Sequence, residues 1–210
     1  MGDARLAGPS LPQTASFYYD LGSPYAYLSA ERIHAVFEEA GAPPPVWKPV
    51  LLGGLFARFD RSSWAQTDAR DDGMREIERR AAAYGLPPIR WPEGWPSDYL
   101  FAMRVATLAT EIGRGVSLPL AAFRQHFAAG RDLSEPDNVL IAAASAELHP
   151  RALTTAVSRD SIKARLRQTT DEAADLGVFG VPSVVVEDEV FWGDDRLEEA
   201  AGQAANVAPR

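Results

Sequence analysis

Ser23 is the residue whose type and setting first suggest chemistry. It stands in Gly22-Ser23-Pro24-Tyr25-Ala26-Tyr27, directly after the strand-like run from Ala15 to Asp20. Pro24 suits the first turn of a helix, which puts Ser23 at a helix N-terminus. Free backbone N–H groups and the helix dipole favour an anion there. A hydroxyl at that point adds a charge-assisted hydrogen bond to a thiolate. A free thiol has a pKa of about 8.5, and lowering it by ~2 units takes roughly 2.7 kcal/mol of differential stabilisation. A few N–H groups and one hydroxyl supply an effect of that size. The other reading of Ser23 is that it simply caps the helix. The chain contains no cysteine, so it cannot run dithiol–disulfide chemistry itself.

Positioning such a serine takes a strand before it and a helix after it. The aromatic-rich run Ala15–Asp20 predicts a strand, Tyr25–Ala40 a helix stopped at Gly41 and Pro43-Pro44-Pro45, and Val46–Leu51 a second strand. This order is consistent with a parallel crossover. From about Ser62 to Ala174 the patterns are helical: 72–84, 98–112, 118–129, 136–147 and 158–176. Strand character returns at Ser183–Glu187 and Val190–Trp192. Asp194 or Asp195 is placed to cap a last helix over 196–204. The reading is α/β, βαβ then a helical block then ββα. Residues 15–55 and 175–205 form a discontinuous domain, and 56–174 an all-helical insertion. Residues 1–14 and 206–210 read as flexible ends.

Composition narrows the function classes. At 210 residues, with 46% hydrophobic and 24% charged residues, the chain is long enough for a substantial core. A formal charge of −8 argues against general nucleic-acid or anionic-membrane binding. A small anionic ligand held by a few arginines stays compatible with it. No apolar run approaches a membrane span. Met1–Thr14 lacks the apolar stretch of a secretory signal, so a cytoplasmic location is the expectation. His34, His126 and His149 are too far apart for zinc-ligand spacing, and no metal is expected.

Several short motifs occur in one order along the chain. They are Gly22-Ser23-Pro24-Tyr25-Ala26-Tyr27-Leu28, Lys48-Pro49-Val50-Leu51-Leu52-Gly53, Tyr84-Gly85-Leu86-Pro87, Ala102-Met103-Arg104, Gly177-Val178-Phe179-Gly180-Val181-Pro182 and Phe191-Trp192-Gly193-Asp194-Asp195-Arg196-Leu197. Together they resemble the 2-hydroxychromene-2-carboxylate isomerases and the related kappa-class glutathione transferases, within the DsbA-like thioredoxin group. The resemblance covers nearly the whole chain after residue 15. It implies a thioredoxin fold with a helical insertion, with Ser23 where a redox member carries its first cysteine and Ala26 where it carries the second. The reactive sulfur then comes from outside, as glutathione or another low-molecular-weight thiol. The resemblance implies that Ser23 hydrogen-bonds the sulfur. The backbone of Val181, before a cis Pro182, pairs with the tripeptide like an added strand. Asp194, Asp195 and Arg196 meet the γ-glutamyl end. Homodimers are common in these families.

The pattern departs in one region. Family members carry an asparagine and a lysine after the second strand to hold the glycyl carboxylate. Here the stretch reads Arg58-Phe59-Asp60-Arg61-Ser62-Ser63-Trp64, with Arg61 or Arg58 as the available cations. Ser97-Asp98 replaces a further asparagine. Each candidate also has a plainer reading. Pro182 can be a trans proline opening an edge strand, and Arg196 a surface residue. Trp95, in Trp91-Pro92-Glu93-Gly94-Trp95-Pro96, belongs either to a packed loop or to the wall of an apolar pocket. Tyr25 is placed to touch substrate. Arg104 is placed for a substrate carboxylate or for a salt bridge within the insertion.

The expected activity is a thiol-dependent isomerisation of an aromatic-breakdown intermediate. The thiolate adds to an unsaturated carbon, the ring opens, a bond rotates, and the thiol leaves to give the open-chain isomer. Two alternatives stand beside it. One is a kappa-type transferase, which consumes a thiol per product. The other is a cysteine-less DsbA-like domain that only binds a partner.

Overall fold

A computed structural model describes residues 15–149, 153 and 155–208. The expectation for residues 1–14 lies outside that range. Four short strands form one mixed sheet in the order β2-β1-β3-β4. Strand β1 is Ser16–Tyr19, β2 Val46–Pro49, β3 Ser183–Val186 and β4 Glu189–Trp192. Strand β1 pairs in parallel with β2, and antiparallel with β3, which in turn pairs antiparallel with β4. Helix α1, Pro24–Glu39, makes the parallel crossover between β1 and β2. It begins at Pro24 and ends where Gly41 turns the chain at φ 70°.

The central strands β1 and β3 are buried on both faces, so they read as apolar runs. Alternation still sorts the side chains. Phe17, Tyr19, Trp47, Val184 and Val186 join the larger core, together with α1 and α8, Leu197–Val207. Tyr18, Val185 and Val50 face the opposite way, onto Leu55 of α2, Leu52–Arg58, and Ala173 and Ala174 of α7, Asp160–Asp175.

Between β2 and β3 the described chain is helical, as the patterns predict. After α2 come a 3-10 turn at Trp64–Gln66, α3 at Arg70–Ala83, α4 at Leu100–Glu111, α5 at Ser117–Phe123 and α6 at Pro136–Ser145. Helix α5 runs on into a π turn, Arg124–Ala128. Helix α2 is not among the sequence expectations. The last helix continues to Val207, beyond the expected Ala204. Neither aspartate caps it: no side-chain hydrogen bond serves the start of the 194–196 turn or of α8. The Asp194 carboxylate is engaged elsewhere, with Arg80 and Tyr84.

The loop from residue 85 to residue 99 is tied down by hydrogen bonds to several elements. The Arg90 amide donates to the Phe127 carbonyl at 2.7 Å. The Trp95 indole N–H donates to the Gly22 carbonyl at 3.1 Å, and the Arg70 guanidinium to the Trp95 carbonyl at 2.8 Å. These bonds bring the aromatic loop against the start of α1.

Candidate active site

The N-terminus of α1 opens into a cavity of about 950 Å³ between the sheet and the helical block. Ser23 sits at its floor, 4% exposed. Its Oγ accepts from the Ala26 amide at 3.2 Å and donates to the Val181 carbonyl at 3.4 Å. The hydroxyl caps α1, as the plainer sequence reading has it, and it also faces the loop before β3. Pro24 carries no amide hydrogen, and the Ala26 amide is taken by Ser23. The Tyr25 amide is left without an acceptor among the described residues, a donor aimed by the first turn of the helix.

Val181 precedes the sheet register, which starts at Ser183. Among the described residues its N–H has no acceptor, and its carbonyl takes only the long bond from Ser23. An extended peptide backbone finds a donor and an acceptor there. The Val181–Pro182 peptide is cis, as is Trp95–Pro96.

Beneath this turn lies Asp20, 7% exposed. It accepts from the Gly22 amide at 2.9 Å and the Leu52 amide at 2.8 Å, tying the Ser23 turn to the start of α2. Burial raises its carboxyl pKa, against the pull of those two amides. Gly22 is required by close approach: a Cβ there would meet the Tyr99 ring at 2.3 Å.

One wall is aromatic. Tyr25 lies edge-on to Trp64 at 6.1 Å, and Trp64 lies 5.6 Å from Trp95. Trp64 in turn fits over Gly73 of α3, where a Cβ would come within 2.2 Å of its ring. The second wall is charged. Asp194 is 1% exposed and accepts from Arg80 at 2.8 Å and from the Tyr84 hydroxyl at 2.9 Å. Burial pushes its carboxyl pKa up, while Tyr84 and Arg80 pull it back. Asp195 is exposed, 3.7 Å from Arg80. Arg196 is paired to Glu199 and lies over Phe191.

A model of the DSBA-like thioredoxin domain matches residues 14–205. The chain belongs to that family. Among its DSBA-like relatives, the 2-hydroxychromene-2-carboxylate isomerase of Sphingobium xenophagum is 25% identical over 194 residues, covering 90% of this chain and 96% of the relative. Glutathione S-transferase kappa 1 of Homo sapiens is 25% identical over 206 residues, covering 91% and 90%. A solved structure of 2-hydroxychromene-2-carboxylate isomerase shares the fold, with a TM-score of 0.80 at 20% identity over 90% of this chain and 95% of that one. Those relatives are enzymes.

Set against this DSBA-like frame, most of the sequence candidates meet in one place. Ser23, Tyr25, Arg61, Trp95, Val181, Pro182, Asp194, Asp195 and Arg196 all line the cavity. Arg104 does not, and it forms no ion pair among the described residues. Its Nε is buried without a partner. Of the two arginines in the 58–64 stretch, Arg58 turns away to Asp175, while Arg61 lies over Phe179 at 4.7 Å and Trp192 at 5.3 Å. Sequence reasoning missed Arg80 and Trp64. Arg80 sits 114 residues before its partner Asp194, and no local pattern marks it. The Tyr84 motif was the one available pointer to that helix. Among the described residues no three His, Asp or Glu converge as metal ligands, and no helix is long and apolar enough to cross a membrane.

Proposed function

We propose that this protein is a thiol-dependent isomerase of the 2-hydroxychromene-2-carboxylate isomerase type, with glutathione or a similar small thiol as its cofactor, acting on an aromatic-degradation intermediate. One observation carries the reading. In a chain without cysteine, Ser23 presents a hydroxyl at the start of α1, beside the unpaired Tyr25 amide and the unpaired Val181 N–H. That is a site for a sulfur anion on a short peptide. The cavity is large enough for a thiol tripeptide and an aromatic ring together.

The residues divide the work. Ser23 and the helix amides stabilise the thiolate. Val181 aligns the cofactor backbone. Asp194 has its carboxylate occupied, so the contact with a cofactor ammonium falls to Asp195. Trp64, Trp95 and Tyr25 face the aromatic substrate, and Arg61 meets a carboxylate. The substrate's hemiketal ring opens to an unsaturated ketone, the thiolate adds to its conjugated carbon, the new single bond rotates, and elimination returns the thiol.

Calorimetric titration with glutathione tests this. Wild type is expected to bind in the micromolar to low millimolar range, and Ser23→Ala to bind about tenfold more weakly with its fold intact, the loss of one charge-assisted hydrogen bond. No binding by wild type refutes the glutathione reading. Similarity to the kappa-class transferase supports a second reading on the same site. Thiol accounting separates them: an isomerase returns its thiol, and a transferase loses one per product.

A further inference from the structure

We propose that Tyr25 is the proton donor to the substrate oxygen that becomes an enolate when the thiolate adds. The role rests on the thiol-addition reading above. Adding sulfur to a conjugated carbon sends the displaced electron pair onto a carbonyl oxygen. A site that performs the step needs a donor within reach of both that oxygen and the sulfur. Tyr25 lies two residues beyond Ser23, on the first turn of α1, and lines the same cavity.

Its ring is held on two sides, edge-on by Trp64 at 6.1 Å and across its face by the Arg80 guanidinium at 5.5 Å. Its hydroxyl has no hydrogen-bond partner among the described residues. Several other polar groups of the cavity are hydrogen-bonded elsewhere. The Tyr99 hydroxyl is buried and accepts from the Ser97 amide, and Ser97 donates to Asp132. Asp20 and Asp98 accept from backbone amides, and Asp194 from Arg80 and Tyr84. No histidine lines the cavity among the described residues. Burial, opposed by Arg80, pushes the Tyr25 phenol up, so it keeps its proton at neutral pH.

The step balances within the site. The cyclic hemiketal of the substrate first opens: its ring C–O bond breaks onto the phenol oxygen, which takes the hemiketal hydroxyl proton, and the hemiketal carbon becomes the carbonyl. The thiolate pair then forms the C–S bond, the carbon–carbon π pair moves into the adjoining bond, and the carbonyl π pair becomes an oxygen lone pair. The Tyr25 proton passes to that oxygen and leaves a phenolate. After rotation the enol proton returns to Tyr25, the carbonyl re-forms, and the thiolate departs.

The test compares wild type with Tyr25→Phe, which keeps the ring, using glutathione and 2-hydroxychromene-2-carboxylate. Turnover is followed with the ultraviolet titration of the bound thiol. Tyr25→Phe is expected to lose about 100-fold in kcat, the scale of general-acid catalysis. Both KM values and the pKa of the bound thiol stay unchanged, whereas Ser23→Ala raises that pKa. Wild-type turnover in Tyr25→Phe overturns the proposal. So does a raised thiol pKa in Tyr25→Phe, which would put the phenol on the sulfur. Absence of any thiol-dependent turnover by wild type overturns the proposal together with the reading beneath it; loss confined to Tyr25→Phe in the manner described supports both.

Discussion

Arg61 differs from the other arginines of the cavity in what holds it. Arg80 is tied to Glu76 and Asp194, and Arg196 to Glu199. Arg61 has no acidic partner among the described residues and lies against the faces of Phe179 and Trp192. A stacked guanidinium keeps its in-plane N–H donors free, and their fork matches a carboxylate. The aromatic bed also limits the rotamer freedom that carboxylate binding would otherwise remove. Arg61→Gln is therefore expected to raise one KM about tenfold, the loss of one charge-assisted bond, with kcat unchanged. A steady-state matrix in both reactants reads out which KM moves. If it is the thiol's, Arg61 stands in for the missing asparagine and lysine. If it is the aromatic reactant's, Arg61 selects the substrate. Two unmoved KM values would remove it from recognition.

At the scale of elements, the contact that joins α3 to the turn before α8 is the buried Asp194 with Arg80 and Tyr84. A carboxylate 1% exposed is tolerable when paired. Arg80→Met takes away its charge partner and leaves only the Tyr84 hydroxyl. Chemical denaturation should show a loss of about 3 kcal/mol, the usual consequence of leaving a buried charge unpaired. Tyr84→Phe should lose only about 1 kcal/mol. Equal small losses would mean that Asp194 is not charged in the folded state. This contact also shows where sequence reading stops. The strands around β1, the crossover helix and the helical block were legible, because each has its own period, cap or stop residue. Ser23, Val181 and Pro182 were legible because they sit in motifs. Helix α2 was not. It carries Gly53 and Gly54, which disfavour a helix by about 1 kcal/mol each. It forms because Asp20 takes its first amide and Leu55 is fully buried, both long-range effects. The charged wall was illegible for the same reason: Arg80 and Asp194 meet only once the helical block has folded onto the sheet. Asp194 read as a helix cap because nothing local shows that its carboxylate is already engaged.

Across the whole molecule, the dependence of stability on pH follows from which buried groups gain or refuse a proton on folding. His126, on the π turn after α5, is packed between Tyr99 and Phe127. Its Nδ1 bonds the Arg131 carbonyl at 2.9 Å, and its Nε2 is buried without a partner. Burial lowers its pKa from 6.5 to about 4. Between those values the unfolded chain binds a proton that the native state refuses. Native stability is thus lost as pH falls through that window, and the contribution amounts to about 3 kcal/mol by pH 4. Asp20 works in the opposite direction. Its raised pKa means that the native state holds a proton longer above pH 3.8, so this term favours folding as the solution is acidified. Asp132 is lowered on balance: burial raises it, and bonds from Ser134 and Ser97 more than compensate. Its effect falls mainly below the His126 window. A wild-type curve alone would therefore mix opposing terms, and a difference curve isolates one. His126→Gln keeps an amide donor for the Arg131 carbonyl and cannot titrate. Urea unfolding of both proteins at pH 7 and pH 4 should show wild type losing about 3 kcal/mol more than the variant. Parallel curves would assign the acid sensitivity to other groups and would mean that the core admits a charged imidazole at His126.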